Sequence, residues 1–130
     1  MDLNQKKRIP PGQFFTEKFP VLTYGATPVI KTEDWGLKIF GEVEMEIHLS
    51  WNDLMNLPKF EMTSDFHCVT TWSKLDNRWE GVHIRTLLSK VKIKPTAKWV
   101  LLHCYGGYTT NLPFEVLNDE DVMVAHSHNG

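Results

Sequence analysis

The stretch Phe60-Glu61-Met62-Thr63-Ser64-Asp65-Phe66-His67-Cys68-Val69-Thr70-Thr71-Trp72-Ser73 decides the fold. Its even positions are mostly apolar (Phe60, Met62, Phe66), and its odd positions are polar (Glu61, Thr63, Asp65, His67). A period of two predicts a strand with one buried face. Cys68 continues the even series, which places it on the side of Phe66, with His67 on the other. The strand therefore delivers a thiol to the inner side of a sheet as the chain enters the polar segment Thr70-Thr71-Trp72-Ser73. Such a sulfur suits a soft metal ion. It equally suits plain packing, because free cysteine is among the most buried residue types. The pattern alone favours packing.

Working outward, Trp35 to Phe40 predicts a strand that Gly41-Glu42 turns back. Val43, Met45, Ile47 and Leu49 then alternate strictly with polar residues, so the two segments predict a hairpin. Ser50 can cap a short helix, with Asp53 meeting its free amides and Pro58 ending it. On the other side of Cys68, residues 72–79 carry Lys74, Asp76, Asn77 and Arg78 and read as an exposed excursion. Trp79-Glu80-Gly81-Val82 returns to the core. Residues 84–91 place Ile84, Leu87, Leu88 and Val91 at helical spacing. Lys98 to Tyr105 is apolar at both parities, the pattern of a central strand covered on both faces. Gly106-Gly107 turns it, Phe114 to Leu117 predicts one helical turn, and Asp121 to His126 predicts a last strand. Before all of these, Arg8-Ile9-Pro10-Pro11-Gly12-Gln13 excludes helix and predicts an extended arm over residues 1–13. Short strands broken by short helices define an α+β chain, mostly β, with mixed sheets.

A length of 130 residues fits one domain, and a hydrophobic content of 42% is enough for a core. Sixteen acidic residues nearly balance fourteen basic ones, which argues against a nucleic-acid partner. Two cysteines, Cys68 and Cys104, are too few for a disulfide framework and are expected to stay reduced. The polar start, Met1-Asp2-Leu3-Asn4-Gln5-Lys6-Lys7-Arg8, does not read as a signal peptide, and no segment is long enough for a membrane span. The expected setting is cytoplasmic.

Histidines invite a metal reading, but few survive it. His126-Ser127-His128 lacks a third ligand at a usual spacing, which favours adventitious binding over a zinc site. His67 and Cys68 are adjacent on a strand and cannot chelate together. His48 extends a polar face and is expected to be solvated. His103, in an apolar strand beside a Gly-Gly turn, fits a core histidine and a cofactor donor equally. A Cys–His nucleophile pair lacks an orienting third group. Gly106-Gly107 lacks the spacing of a phosphate-cradling loop.

Taken together, Cys68-Val69-Thr70-Thr71-Trp72-Ser73 and Trp79-Glu80-Gly81-Val82 resemble the molybdopterin-binding domain of the sulfite oxidase family. Supporting matches are Arg8 to Gln13, Phe19-Pro20-Val21-Leu22 to Pro28, Trp35 to Gly41, and Gly107 to Pro113. The resemblance implies a molybdenum-molybdopterin cofactor, with Cys68 as the protein's thiolate ligand to the metal and as the catalytic residue. It implies cofactor contacts from the loop Val21, Leu22, Thr23 and Tyr24 and from the strand end His103 and Cys104. Where the family carries an arginine and a histidine in the first of these loops, this chain has Leu22 to Tyr24. Members also continue past the equivalent of Gly130 with basic residues for the pterin phosphate, so the chain is expected to correspond to the front two thirds of the domain. The implied activity is a two-electron oxo transfer on a small-molecule substrate, with room for an electron-transfer partner and a homo-oligomeric form. The rival is a non-catalytic fragment or degenerate relative that uses the scaffold for binding or assembly.

Overall fold

The computed structural model describes residues 1–130. The fold is mostly β, with short helices and mixed strand pairing. The chain divides into two compact units, each described by itself: Met1–Leu22, Glu61–Glu80 and Ala125–Gly130 form the first, Thr23–Phe60 and Gly81–Val124 the second.

The first unit is built on residues 61–80 of the hairpin of β4 (Lys59–His67) and β5 (Trp72–His83), whose remaining residues belong to the second. Two further strands, β1 (Phe14–Phe15) and β8 (Met123–His128), also pair with β5. β1 runs parallel to β5, with Phe14 opposite Trp72 and Phe15 opposite Ser73. The alternation in β4 is as expected. The exposed excursion over 72–79 is not found. Those residues are the front of β5, and Trp72, Ser73, Leu75 and Asn77 are buried. Polar residues misled the reading because their burial is compensated by hydrogen bonds. Asn77 Nδ2 donates to the carbonyls of Ser64 and Lys74, and Asn77 Oδ1 bonds His128 Nε2. Asp76 has φ 55° in mid-strand, in the left-handed region that aspartate tolerates better than most residues. Trp72 and Trp79 both reach the ring of Phe19, at 5.1 and 6.0 Å. Phe66 and His128 complete this aromatic cluster.

The arm is not extended throughout. Leu3–Lys7 forms α1, capped by Asp2, whose side chain accepts from the Gln5 amide while Gln5 reaches back to the Asp2 N–H. This reciprocal capping offsets the weak propensity of a one-turn helix. The prolines then end it, as Ile9 before Pro10 disfavours helix. Arg8 anchors the arm: its guanidinium grips the Asp65 carboxylate with two nitrogens and donates to Asp76 at 2.6 Å. This fork holds the Asp65 carboxyl below its ordinary value of 3.8. A depressed carboxyl adds stability above its unfolded value, and that stability is lost as pH falls through the folded value. Arg8→Ala is therefore expected to lower the melting temperature at neutral pH, with wild type and variant converging well below pH 3.8. A gap that persists unchanged in strong acid would show that the pair does not act through this charge.

In the second unit, β2 (Gly36–Ile39) and β3 (Ile47–Ser50) form the expected hairpin, with Leu37 opposite Leu49 and Ile39 opposite Ile47. It is shorter than the alternation suggested. Val43 instead makes an isolated bridge to Ile93, and Met45 is exposed. Ser50 and Asp53 form a complete capping box on α2 (Trp51–Met55). Leu54, Val82 and Leu87 are the buried centre, the last from α3 (Ile84–Leu88); Trp35, Leu37, Ile39, Leu49, Leu57, Ile84 and Val124 pack around them. β6 (Trp99–His103) pairs with β7 (Thr109–Pro113) alone. It is not the doubly covered central strand expected from its apolar run. Trp99 and Leu101 are 64% and 54% exposed, because two strands cannot cover both faces of one another. Phe114–Asn118 is the expected single turn, of 3-10 type.

Candidate functional site

Cys68 lies just past the end of β4 and opens the four-residue turn into β5. Its N–H donates to the Trp72 carbonyl at 2.9 Å, and its own carbonyl accepts from the Thr71 N–H at 3.0 Å. The cysteine is half-buried. It thus leaves the strand alternation one residue early, and its thiol belongs to the turn. Thr70 Oγ1 lies 3.1 Å from Sγ. The Thr70 hydroxyl, with the backbone N–H groups of Thr70 and Val69, draws the Cys68 thiol below the ordinary thiol range. Each of these donors favours the thiolate, which is the form that binds metals and attacks electrophiles.

The turn is under strain at Thr71, which has φ 76°. A β-branched side chain is a poor occupant of the left-handed region, where turns of this kind ordinarily carry glycine or asparagine. Thr71→Gly is expected to stabilise the chain by about 0.5–1 kcal/mol, the relieved strain being partly offset by a more flexible unfolded chain. Chemical denaturation checks this, and a loss of stability would mean that Thr71 is held by more than its backbone geometry.

The N-terminal arm reaches this turn. Pro10-Pro11-Gly12-Gln13 closes on itself, with the Gln13 N–H on the Pro10 carbonyl at 3.1 Å and Gly12 at φ 82°. That is the geometry of a turn with proline second and glycine third. Phe14 N–H then donates to the Thr71 carbonyl at 2.8 Å, and Thr16 N–H to the Ser73 carbonyl at 2.9 Å. Sequence reading did not assign Thr70 or Gln13 to the site, although the hydroxyl run after Cys68 and the Pro-Pro-Gly turn were both visible.

Of the other expected residues, Val21 and Leu22 are exposed in the first unit. Thr23, Tyr24, His103 and Cys104 belong to the second. There, the Tyr24 ring lies 5.4 Å from that of Tyr108. Tyr108 follows the turn that Cys104 opens, with the Cys104 N–H on the Tyr108 carbonyl at 2.8 Å. The structure therefore brings Tyr24 to the hairpin end that carries His103 and Cys104. His103 packs at 5.6 Å from Phe40. Both cysteines are free thiols. His128, considered above as a metal ligand, stacks on Trp79 at 4.3 Å.

Residues 24–130 match the family described as the oxidoreductase molybdopterin binding domain, and the chain belongs to that family. It is 40% identical over 128 residues to the uncharacterized oxidoreductase YuiH of Bacillus subtilis, a match covering 98% of this chain and 65% of that protein. It is 30% identical to the protein-methionine-sulfoxide reductase catalytic subunit MsrP of Campylobacter jejuni, over 85% of this chain and 34% of that one. The fold matches the crystal structure of the sulfane dehydrogenase SoxCD from Paracoccus pantotrophus with a TM-score of 0.68 at 19% identity, covering all of this chain and 44% of that one. The chain thus spans 65% or less of these three proteins. No helix is long and apolar enough to cross a membrane.

Molybdenum-bearing molybdopterin is the cofactor of this domain family. The residues present fit such a group. Cys68 offers a soft, thiolate-favouring sulfur. Trp72, four residues on, has a buried indole N–H with no acceptor in the chain, the kind of donor that a bound acceptor satisfies.

Proposed function

We propose that the 130 residues act as one molybdopterin-binding domain of an oxidoreductase, with Cys68 as the molybdenum ligand and two-electron oxo transfer as the reaction. The observation that carries this reading is the Cys68 turn itself, where a free thiol meets a hydroxyl and two backbone N–H donors that favour its thiolate. The relative from Campylobacter jejuni is named a protein-methionine-sulfoxide reductase, and reducing a sulfoxide removes one oxygen atom with two electrons. A small oxygen-atom donor or acceptor is the substrate class proposed here, with an electron-transfer partner to balance the turnover.

When bound, the cofactor supplies the metal redox chemistry. The chain supplies the thiolate and holds it in place. Thr70 and the turn amides favour the Cys68 thiolate, the form that ligates a metal. The Cys68–Trp72 backbone bond fixes where the sulfur stands. Val21, Leu22, Thr23, Tyr24, His103 and Cys104 are proposed to contact the pterin. Backbone contacts from the first of these loops replace those of the family's arginine and histidine, in whose places Leu22 and Tyr24 stand. Metal analysis of the purified protein tests the reading. It predicts molybdenum bound in a fixed ratio to protein, together with turnover of a small sulfoxide. A metal-free protein that stays metal-free on cofactor loading would favour a non-catalytic binding module.

A further inference from the structure

Gln13, Ser73 and His67 form a hydrogen-bonded chain that ends on the cysteine turn. Gln13 Nε2 donates to the Cys68 carbonyl at 3.1 Å. Ser73 Oγ donates to Gln13 Oε1 at 3.2 Å. His67 Nδ1 lies 2.7 Å from Ser73 Oγ. The proton positions follow from donor and acceptor chemistry. A carbonyl only accepts, so the Gln13 amide must turn its NH2 toward Cys68 and its oxygen toward Ser73. That oxygen also only accepts, so the Ser73 hydroxyl proton is committed to it. His67 Nδ1 must then be the donor to Ser73 Oγ, which fixes its tautomer. Ser73 is fully buried, so its hydroxyl has no water to fall back on.

We infer that His67, Ser73 and Gln13 are positioning residues for Cys68, a directed relay from the imidazole N–H to the Cys68 carbonyl that locks the thiol-bearing turn. The relay binds three separate pieces of chain. His67 closes β4, Ser73 is the second residue of β5, and Gln13 ends the proline turn of the arm. The Cys68 carbonyl already accepts from the Thr71 N–H. The Gln13 amide fills its second lone pair, so both acceptor sites of the turn's first carbonyl are used. A turn with a strained residue at Thr71 needs such support to stay in one conformation. The inference rests on the reading of Cys68 as the cofactor's ligand for its purpose, but not for its geometry.

The test uses the chain with Cys104→Ser, so that Cys68 is the sole thiol. Amide hydrogen exchange at Thr71 and the rate of Cys68 alkylation by iodoacetamide at one fixed pH are compared across variants, alongside melting temperature. His67→Ala removes the donor that orients Ser73, and His67 is exposed, so the chain should still fold. His67→Asn keeps an N–H near the position of Nδ1. Gln13→Glu is nearly isosteric but places a carboxylate oxygen against the Cys68 carbonyl. The expected result is Thr71 exchange faster by roughly tenfold in His67→Ala and Gln13→Glu, the scale of one lost hydrogen bond. Alkylation of Cys68 should change with it, His67→Asn should restore both readouts, and amides of β2 and β3 should be unaffected. Exchange at Thr71 and alkylation equal to the parent in His67→Ala would overturn the relay, as would failure of His67→Asn to differ from His67→Ala. No readout needs the metal, so a relay that stands in a protein that takes up no molybdenum on cofactor loading would leave this inference intact and overturn the ligand reading alone.

Discussion

Cys68→Ser is expected to remove oxo-transfer activity from the cofactor-loaded protein while leaving the chain folded. The side chains are close in size, and the cysteine is only half-buried, so little packing is lost. The turn's backbone bonds to Trp72 and Thr71 do not involve the side chain. What changes is the donor atom. A hydroxyl keeps its proton near neutral pH and is a hard, weak ligand, whereas the Cys68 thiol is already biased toward its thiolate by Thr70 and Val69. The loss should exceed the roughly 10–100-fold that follows removal of an outer partner of a metal ligand. Cys104→Ser should cost far less, because Cys104 is exposed and its structural part is played by its backbone N–H. Parallel assays of turnover with a small sulfoxide, normalised to folded protein, decide the matter. Normal turnover in Cys68→Ser would remove the thiolate from the account.

Leu54→Ala is expected to be the most damaging change to stability, at about 3 kcal/mol within a usual range of roughly 2–5. Leu54 is 1% exposed, on α2, and meets Val82 and Leu87, each equally buried. With only these three side chains forming the buried centre of that cluster, the partly buried residues around them cannot collapse to fill a cavity without gaining exposure. Urea denaturation followed by circular dichroism measures the loss. A value under about 1 kcal/mol would show that the surrounding residues relax into the space.

These expectations draw on features of unequal visibility in the sequence. The β4 alternation and the Ser50–Asp53 cap are local patterns, and the structure contains both. The front of β5 was hidden because its buried Ser73 and Asn77 are polar and find their partners far along the chain, on Gln13 and His128. Burial of this kind depends on tertiary hydrogen bonds, which no local pattern carries. Ser73, Leu75 and Asn77 do alternate with more exposed neighbours, but two of the three are polar, so the period does not read as an apolar one. Helix α1 is one turn long and rests on the Asp2–Gln5 capping pair, a signal weaker than the helix-breaking prolines that follow it. For β6, a doubly apolar run signalled cover that the chain's own two-stranded sheet does not give. At the site, Cys68 stood out through its place at a strand end and the family pattern around it. The donors that lower its pKa are turn amides, and these become legible only once the turn is known.

The most direct measurement is X-ray absorption at the molybdenum edge on the cofactor-loaded protein, comparing wild type, Cys68→Ser and Cys104→Ser. The account predicts one sulfur neighbour fewer around the metal in Cys68→Ser and an unchanged sulfur count in Cys104→Ser. An unchanged count in Cys68→Ser would contradict it.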